Sequence, residues 1–410
     1  MTPKNSTVDK QISEQRTPIS FSKLQESVEQ WLLLKDKGIL RILVATILAN
    51  KLKGDPVWLL IVCASGGSKT ELLRGLSKIP NIYYISDLTA QTFLSGQKGE
   101  NASLLNKLHP HDTILIMKDF TTVLSMNRDK RAEILAQLRE IYDGFYQKDF
   151  GTGENKSWNG KIGFIGGVTT IIDQHQSVFQ VLGERFVQYH LKHEDALTLA
   201  RRAIKNTGDE IPMREEIQKA FADFISGIKI PETNPEISDE VQEKVAHLAT
   251  FCVLARSGVI REGKSSRDIE FIPDAELPTR LTKELLQLIS GLSLIDYATD
   301  KENYSLIYKI GFDSIPQKRR RIIQMMNFGN QYETREIANT IKYPLSSTMR
   351  SLEELEALGL LKRSKETPGK SHWWSFTDYA VELLKIASPI QEKEEDDTSP
   401  DMSEGDVVRT

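Results

Sequence analysis

An uninterrupted apolar run, VWLLIVC at residues 57–63, passes through a glycine-containing turn, ASGGS, into TELLRGLSKI at 70–79, where apolar residues recur at helical spacing. A run of that length without alternation reads as a strand buried on both faces, and such a strand needs helices above and below it. Further short apolar runs at 82–85, 113–117, 161–165 and 186–190 alternate with helical segments such as 130–146. This alternation predicts an α/β fold, a parallel sheet with helices on both faces.

The turn carries chemistry of its own. A phosphate-binding loop needs converging backbone N–H groups, a lysine for the β- and γ-phosphates and a Ser/Thr hydroxyl for Mg²⁺. Residues 63–70, CASGGSKT, supply Ser65, Gly66, Gly67 and Ser68 for the cradle, Lys69 as the cation and Thr70 as the metal ligand, with Glu71 following. A helix opening at Thr70 adds its N-terminal dipole. Two consensus glycines are replaced, by Cys63 at the start and Ser68 before the lysine. The strand TILIM at 113–117 ends in Lys118, Asp119 and Phe120, so Asp119 is the acid placed to support a metal-water shell, a second Mg²⁺ candidate beside Thr70.

Around this core the chain divides by composition. Residues 1–23 are polar without a sustained period and are expected to be a disordered lead. Residues 24–56 read as two helices, stopped by Gly54, Asp55 and Pro56. The ATPase core is expected over 57–200. Residues 201–312 read as helices only, an all-α lid broken at Pro212, Pro231, Pro235 and Pro273. Residues 313–388 read as three helical stretches, a hairpin LLKRSKETPGKSHWWSFT and a final helix, the proportions of a winged helix-turn-helix; the acidic stretch 389–410 is expected to be a disordered tail. No apolar run approaches the roughly 18 residues of a membrane span, so no membrane partner is expected. Cys63 and Cys252 are the only cysteines and give neither a disulfide framework nor zinc-ligand spacing, which fits a cytoplasmic protein.

These residues resemble the AAA+ family, and within it the minichromosome-maintenance (MCM) helicases and their relatives in viruses and mobile elements. SKTELL at 68–73 is similar to the MCM phosphate loop, and Lys118, Asp119 and Phe120 stand where that family ends its second motif in Asp-Glu-Phe. The resemblance implies ATP and Mg²⁺ as ligands. GERF at 183–186 resembles the arginine-finger motif, placing Arg185 against the γ-phosphate of a neighbouring subunit and implying a homo-oligomeric ring. It also implies Thr169 as the polar residue near the attacking water, and Arg280, in PTRLTKEL at 278–285, reaching back to the nucleotide. DFGTGENKSWNGKIGF at 149–164 resembles the hairpin that MCM proteins project into a central channel, with Lys156 and Trp158 at its tip as DNA contacts.

A second DNA surface is expected near the C-terminus. TREIANTI at 334–341, the turn Lys342–Pro344 and LSSTMRSLEELEA at 345–357 have helix-turn-helix proportions. Ile337, Ala338 and Ile341 are expected to pack inward with Leu345, Met349, Leu352 and Leu355. Arg335, Ser346, Ser347, Thr348, Arg350 and Ser351 are expected on or near the open side, and Lys362, Arg363, Lys365 and Lys370 on the wing. The basic run 318–321 is a further source of phosphate contacts or a solvated helix start. The expected function is a DNA-binding AAA+ ATPase, helicase-like or remodelling, in replication of a phage or mobile element. Its rival is an ATP-sensing DNA-binding regulator with weak hydrolysis, favoured by Lys118 and the irregular loop; a third reading has the winged helix bind only protein.

Overall fold

The computed structural model describes residues 16–66, 68–97, 99, 102–151, 153–174, 184–261, 268–295, 299–364 and 372–389. Five strands, β1 (Trp58–Val62), β2 (Ile82–Ile85), β3 (Thr113–Met117), β6 (Ile162–Val168) and β7 (Val187–His190), form a parallel sheet in the order β2-β3-β6-β1-β7. Two more, β4 (Phe145–Asp149) and β5 (Asn155–Asn159), pair antiparallel as a hairpin outside it. Every residue of β1, β3 and β6 is buried, as an apolar run without alternation requires.

The period of two decides which core each side chain enters. Leu59, Ile61 and Cys63 face one layer of helices, while Trp58, Leu60 and Val62 face the other. The first layer holds the helices Phe21–Trp31, Gly38–Lys51 and Lys69–Gly75 together with the helices after β7; the second holds Arg128–Tyr142 and the inner face of the β4–β5 hairpin. Gly38–Lys51 is buried on all sides because Thr279–Ser293 covers the face that the sheet does not. The two helices approach so closely that a Cβ on Gly291 would collide with the Ala45 carbonyl.

Several expectations need correction. The helix Phe21–Trp31 begins within the stretch expected to be a disordered lead, with Ser20 accepting from the Lys23 amide at 3.3 Å as its N-cap. The helix read over 130–146 ends at Tyr142, where Gly144 at φ +88° turns the chain into β4. Pro212 does not break a helix: it sits in the first turn of Glu210–Ser226, where an amide hydrogen has no intrahelical partner anyway. The helices-only region contains a short antiparallel pair, β8 (Ile260–Arg261) and β9 (Ile269–Phe271).

The C-terminal part packs the helices Gln317–Met325, Thr334–Ile341 and Leu345–Ala357 against a three-stranded antiparallel sheet. Its strands are β10 (Tyr332–Glu333), β11 (Leu361–Ser364) and β12 (Trp373–Phe376), ordered β10-β12-β11. Trp373 and Trp374 alternate, with Trp374 in the core donating to Thr334 Oγ1 at 2.9 Å and Trp373 half-exposed. The last helix, Asp378–Ala387, packs back on Asp239–Arg256. Among the described residues no helix is long and apolar enough to cross a membrane.

Candidate functional site

At the end of β1 the chain leaves the sheet with the Cys63 amide donating to the Val168 carbonyl at 3.1 Å. Gly66 then takes φ +82° and Ser68 φ +57°, both left-handed, before the helix Lys69–Gly75 begins. Glycine adopts that conformation freely, whereas a residue with a Cβ is disfavoured by roughly 1–2 kcal/mol, so Ser68 carries a cost that the consensus glycine would not. Ser68, at the N-cap, makes no side-chain hydrogen bond to the first turn of this helix. Gly67 lies outside the described residues.

Because β6 is inserted between β1 and β3, the residues ending these three strands meet at one edge of the sheet. Lys69 is only 7% exposed, and its aliphatic stem runs over β6, where a Cβ on Gly167 would stand 2.9 Å from Lys69 Cδ. Burial pushes the ammonium below its usual range, and the nearby Cys63 and Asp119 pull it back up. A buried cation with one acid beside it is poised to accept another anion. Asp119 Oδ1 accepts from the Thr121 amide at 3.0 Å, the Thr169 amide donates to Thr121 Oγ1 at 3.2 Å, and the two threonine hydroxyls stand 3.4 Å apart. Thr121 therefore links the two predicted residues, Asp119 and Thr169. Nothing in the sequence marks it except its position two residues beyond the acid.

Beside this edge lies a cavity of about 360 Å³. Gly66, Ser68, Lys69, Thr70 and Glu71 line it on the side of the loop; the rest of the lining mixes the apolar Trp31, Leu33, Leu199 and Met213 with the polar Arg202, Asn206 and Arg214. A cation and loop amides beside apolar side chains, within a few hundred Å³, suit a small ligand with an anionic tail and a flat apolar body. Asn206 donates to the Trp31 carbonyl at 2.8 Å and Arg202 to that of Gln30 at 2.6 Å, which ties the far wall together. Glu71 does not point free: Arg214 grips both its oxygens, at 2.9 and 3.1 Å, and Arg74 one at 2.6 Å. Burial works to raise its carboxyl, but the bonds from Arg214 and Arg74 outweigh it and hold the group below the usual range. Arg202, Asn206 and Arg214 escaped sequence reading because they follow Lys69 by more than 130 positions and look like solvated helix residues. Ser65, beside the cavity, is exposed.

Arg280 and Arg185 are not brought to this cavity. Arg280 Nη1 donates to the Glu184 carbonyl and to Glu276 Oε1, both at 3.2 Å, which places it before β7, at the opposite end of the sheet from Lys69. The expectation that it reaches the nucleotide of its own chain is therefore corrected. Arg185, beside it, is bound by both Asp143 oxygens at 3.1 and 2.8 Å and lies over the Tyr142 ring. Near them is a buried acid cluster: burial pushes Glu184 and Glu284 each up to about 7, with Arg256 and Arg280 opposing, and Tyr142 donates to Glu284 at 2.6 Å.

The hairpin contacts are corrected too. Lys156 and Trp158 are two apart on β5 and so share a face, and that face turns inward. Lys156 Nζ donates to the carbonyls of Ser95 and Gln97 at 2.7 and 2.6 Å, and Trp158 is buried beside Tyr146. Neither is presented at the tip.

In the C-terminal unit the helices Thr334–Ile341 and Leu345–Ala357 fall where expected, joined through Lys342 at φ +58°. Arg335, Ser346 and Arg350 are exposed and Ser347 half-exposed. Thr348 and Ser351 are buried instead, Thr348 Oγ1 donating to the Pro344 carbonyl at 3.1 Å, and Leu345 is 47% exposed rather than packed inward. The helix is thus rotated from the expected phase at its first turn. On β11, Lys362 pairs with Asp378 and Arg363 with Glu356, each at 3.3 Å and each at the surface; Lys365 and Lys370 lie outside the described residues. The basic run is neither solvated nor available as a whole: Arg319 and Arg320 are buried, bound to Glu354 and Asp313.

No family model and no curated protein matches this sequence. Among solved structures it is similar to the A-form apo structure of the NrS-1 C-terminal region, with 12% sequence identity over 88% of this chain and 77% of that one, at a TM-score of 0.29.

Proposed function

We propose that this chain is an oligomeric, DNA-associated ATPase of the AAA+ type. The observation that carries the reading is the meeting of the buried Lys69 with the exposed Asp119 and the Thr121–Thr169 pair at the ends of three adjacent strands, beside a cavity of mixed polar and apolar lining. A triphosphate fits this setting: the left-handed turn at Gly66 and Ser68 is of the kind that can present backbone amides, and Lys69 makes no ion pair among the described residues. Among the described residues no cluster of three His, Cys, Asp or Glu could hold a metal unaided, but Mg²⁺ bound through phosphates needs only one or two protein oxygens. Thr70 and Asp119 would supply them. Thr169, held by Thr121, orients water for in-line attack, and Arg185 of a neighbouring copy stabilises the departing charge.

The DNA side of the proposal rests on the C-terminal unit. A helix-turn-helix backed by a three-stranded antiparallel sheet, with Arg335, Ser346 and Arg350 each exposed, supports a winged helix that would offer small polar residues and cations to a groove. Calorimetry with Mg-ATP and a turnover assay with and without duplex DNA test the whole. Lys69→Ala abolishes uptake, Asp119→Asn retains it and loses turnover, and DNA stimulates the wild type. An intact chain that takes up no nucleotide sinks the reading.

One observation favours a second reading. Asp119 is the single acid at the end of β3, with Lys118 before it, and its carboxylate is already engaged by the Thr121 amide. One acid serving both metal and water makes a slow hydrolase, so the site would act as a nucleotide-controlled switch on DNA binding. Tight Mg-ATP binding with negligible turnover distinguishes it.

A further inference from the structure

We propose that two exposed patches at opposite ends of the parallel sheet are the halves of one seam between copies of this chain: the outer face of the helix Ala196–Lys205 receives segment 270–277 of a neighbour. The consequence drawn for catalysis rests on the nucleotide reading above; the seam itself does not.

The helix Ala196–Lys205 is strongly amphipathic in sequence, yet none of its residues is buried. Such a helix normally buries its apolar stripe. One side, with Leu199 and Arg202, lines the cavity. The other carries Leu197 at 58% and Ile204 at 74% exposure, which share a face with Arg201 at i, i+4 and i+7 and have Lys205 alongside. Neither Arg201 nor Lys205 is in an ion pair among the described residues.

The second patch has the same design with the opposite sign. Phe271 at 58% and Leu277 at 74% stand exposed with Ile272, and Glu270 and Asp274 lie exposed among them with no ion pair among the described residues. Glu276, by contrast, is already engaged by Arg256 and Arg280. Grouped large apolar side chains at a surface mark contact sites. Docking either patch on its own kind would set like charges face to face, whereas docking one on the other pairs them. The partner is therefore a second copy bound head to tail, a heterologous contact that propagates to a closed ring or a filament.

Position gives the seam its consequence. The basic patch adjoins the cavity at the C-terminal ends of the strands, and the acidic patch leads into Glu276 and Arg280, which sits on the carbonyl next to Arg185. Head-to-tail docking carries Arg280 and Arg185 of one copy toward the cavity of the next, where their own chain cannot place them.

Charge exchange in the full-length chain tests this, with sedimentation velocity run with and without Mg-ATP. Arg201→Glu with Lys205→Glu, and separately Glu270→Lys with Asp274→Lys, each weaken self-association by about tenfold or more. All four substitutions in one chain restore it to within about threefold of wild type. Circular dichroism confirms folding, and calorimetry with Mg-ATP at dilution finds one-copy nucleotide binding unchanged in every variant. Either inverted pair assembling like wild type overturns the seam, as do a folded four-fold variant that stays dissociated and a wild-type chain that remains monomeric throughout. Loss of nucleotide binding in the wild type instead defeats the ATPase reading, while the exchange experiment still decides the seam.

Discussion

Gly167 separates packing from ligand binding at a single atom. A methyl group there would stand 2.6 Å from the Lys118 carbonyl oxygen and 2.9 and 3.1 Å from Cδ and Cγ of Lys69. The carbonyl cannot retreat easily, because the adjoining backbone is fixed by the Phe120 amide donating to the Gly167 carbonyl at 2.7 Å and by the pairing of β3 with β6. The lysine stem yields on its side, while the contact with the carbonyl strains the β3–β6 pairing. Overpacking of this kind costs about 1–3 kcal/mol. On the ATPase reading, the part of it that displaces Lys69 weakens Mg-ATP binding, by at most roughly 150-fold in Gly167→Ala, and the rest lowers the melting temperature. Gly166 is the internal control, since its Cβ would point to the other face and meet Leu60 Cδ2 at 2.7 Å. Gly166→Ala lowers the melting temperature and leaves nucleotide affinity within about twofold, because the strain enters the core behind the sheet. Calorimetry and thermal denaturation of the two variants read the two effects separately. Unchanged affinity and melting in Gly167→Ala, or equal loss of affinity in both, refutes the placement of Lys69 over β6.

Three further outcomes follow from named contacts. Glu284 has its carboxyl raised from 4.5 to about 7 by burial, against Arg256 and Arg280 and with Glu276 adding to the rise, so its stabilising share is complete below pH 4.5 and lost as pH rises through 7. Glu284→Gln keeps an acceptor for Tyr142 and is more stable than wild type to chemical denaturation at pH 8, by up to the order of 3 kcal/mol, with the advantage gone at pH 4.5; an advantage that grows toward acid contradicts the sign. Lys156→Ala removes two carbonyl anchors and destabilises by about 1–3 kcal/mol in chemical denaturation without changing DNA retention, whereas a selective loss of DNA binding would return this residue to the interface. If Arg335, Arg350, Lys362 and Arg363 are the phosphate contacts among the described residues, log affinity falls against log salt with a slope of about −3.6, and removing Arg335 and Arg350 together flattens it by about 1.8. Arg319→Ala leaves the slope alone and lowers the melting temperature.

The sheet was legible because its inner strands are solid apolar runs, and a solid run admits few other structures. The glycine-containing turn after β1 was legible from composition in context, and the left-handed φ of 57° at Ser68 shows why a glycine would sit there more easily. What the sequence could not carry was direction. Lys156 and Trp158 are two apart and must share a face, but only the placement of the hairpin over residues 95–97 decides that this face is the inner one. Tyr142, Phe145 and Tyr146 keep helical spacing past the true helix end, so the first strand of that hairpin was read as helix. Arg280 could not be placed at all from local pattern, since the Glu184 carbonyl that receives it lies 96 positions away. Thr348 and Ser351 were read as surface because they are polar; small polar side chains enter a helix contact readily once the hydroxyl is satisfied, as Thr348 is by Pro344.

The buried arginines bear on how the two ends of the molecule communicate. The backbone of β7 ends at His190, whose amide donates to Asp313 Oδ2 at 2.8 Å, and Asp313 also holds Lys309 and Arg320. Arg320 belongs to the helix whose Arg319 reaches the carbonyls of Ala255 and Ser257 at 2.9 and 2.7 Å and Glu354 at 3.1 Å. Glu354 and Glu353, also gripped by Arg261, lie on the helix that presents Ser346 and Arg350. Parting Arg320 from Asp313 or Arg319 from Glu354 would strand a buried charge, which costs about 3–5 kcal/mol. The C-terminal unit is therefore bolted to the helical layer and to the edge of the sheet. Any displacement of that layer by a ligand in the cavity must carry the exposed face of Leu345–Ala357 with it, as one body rather than on a tether.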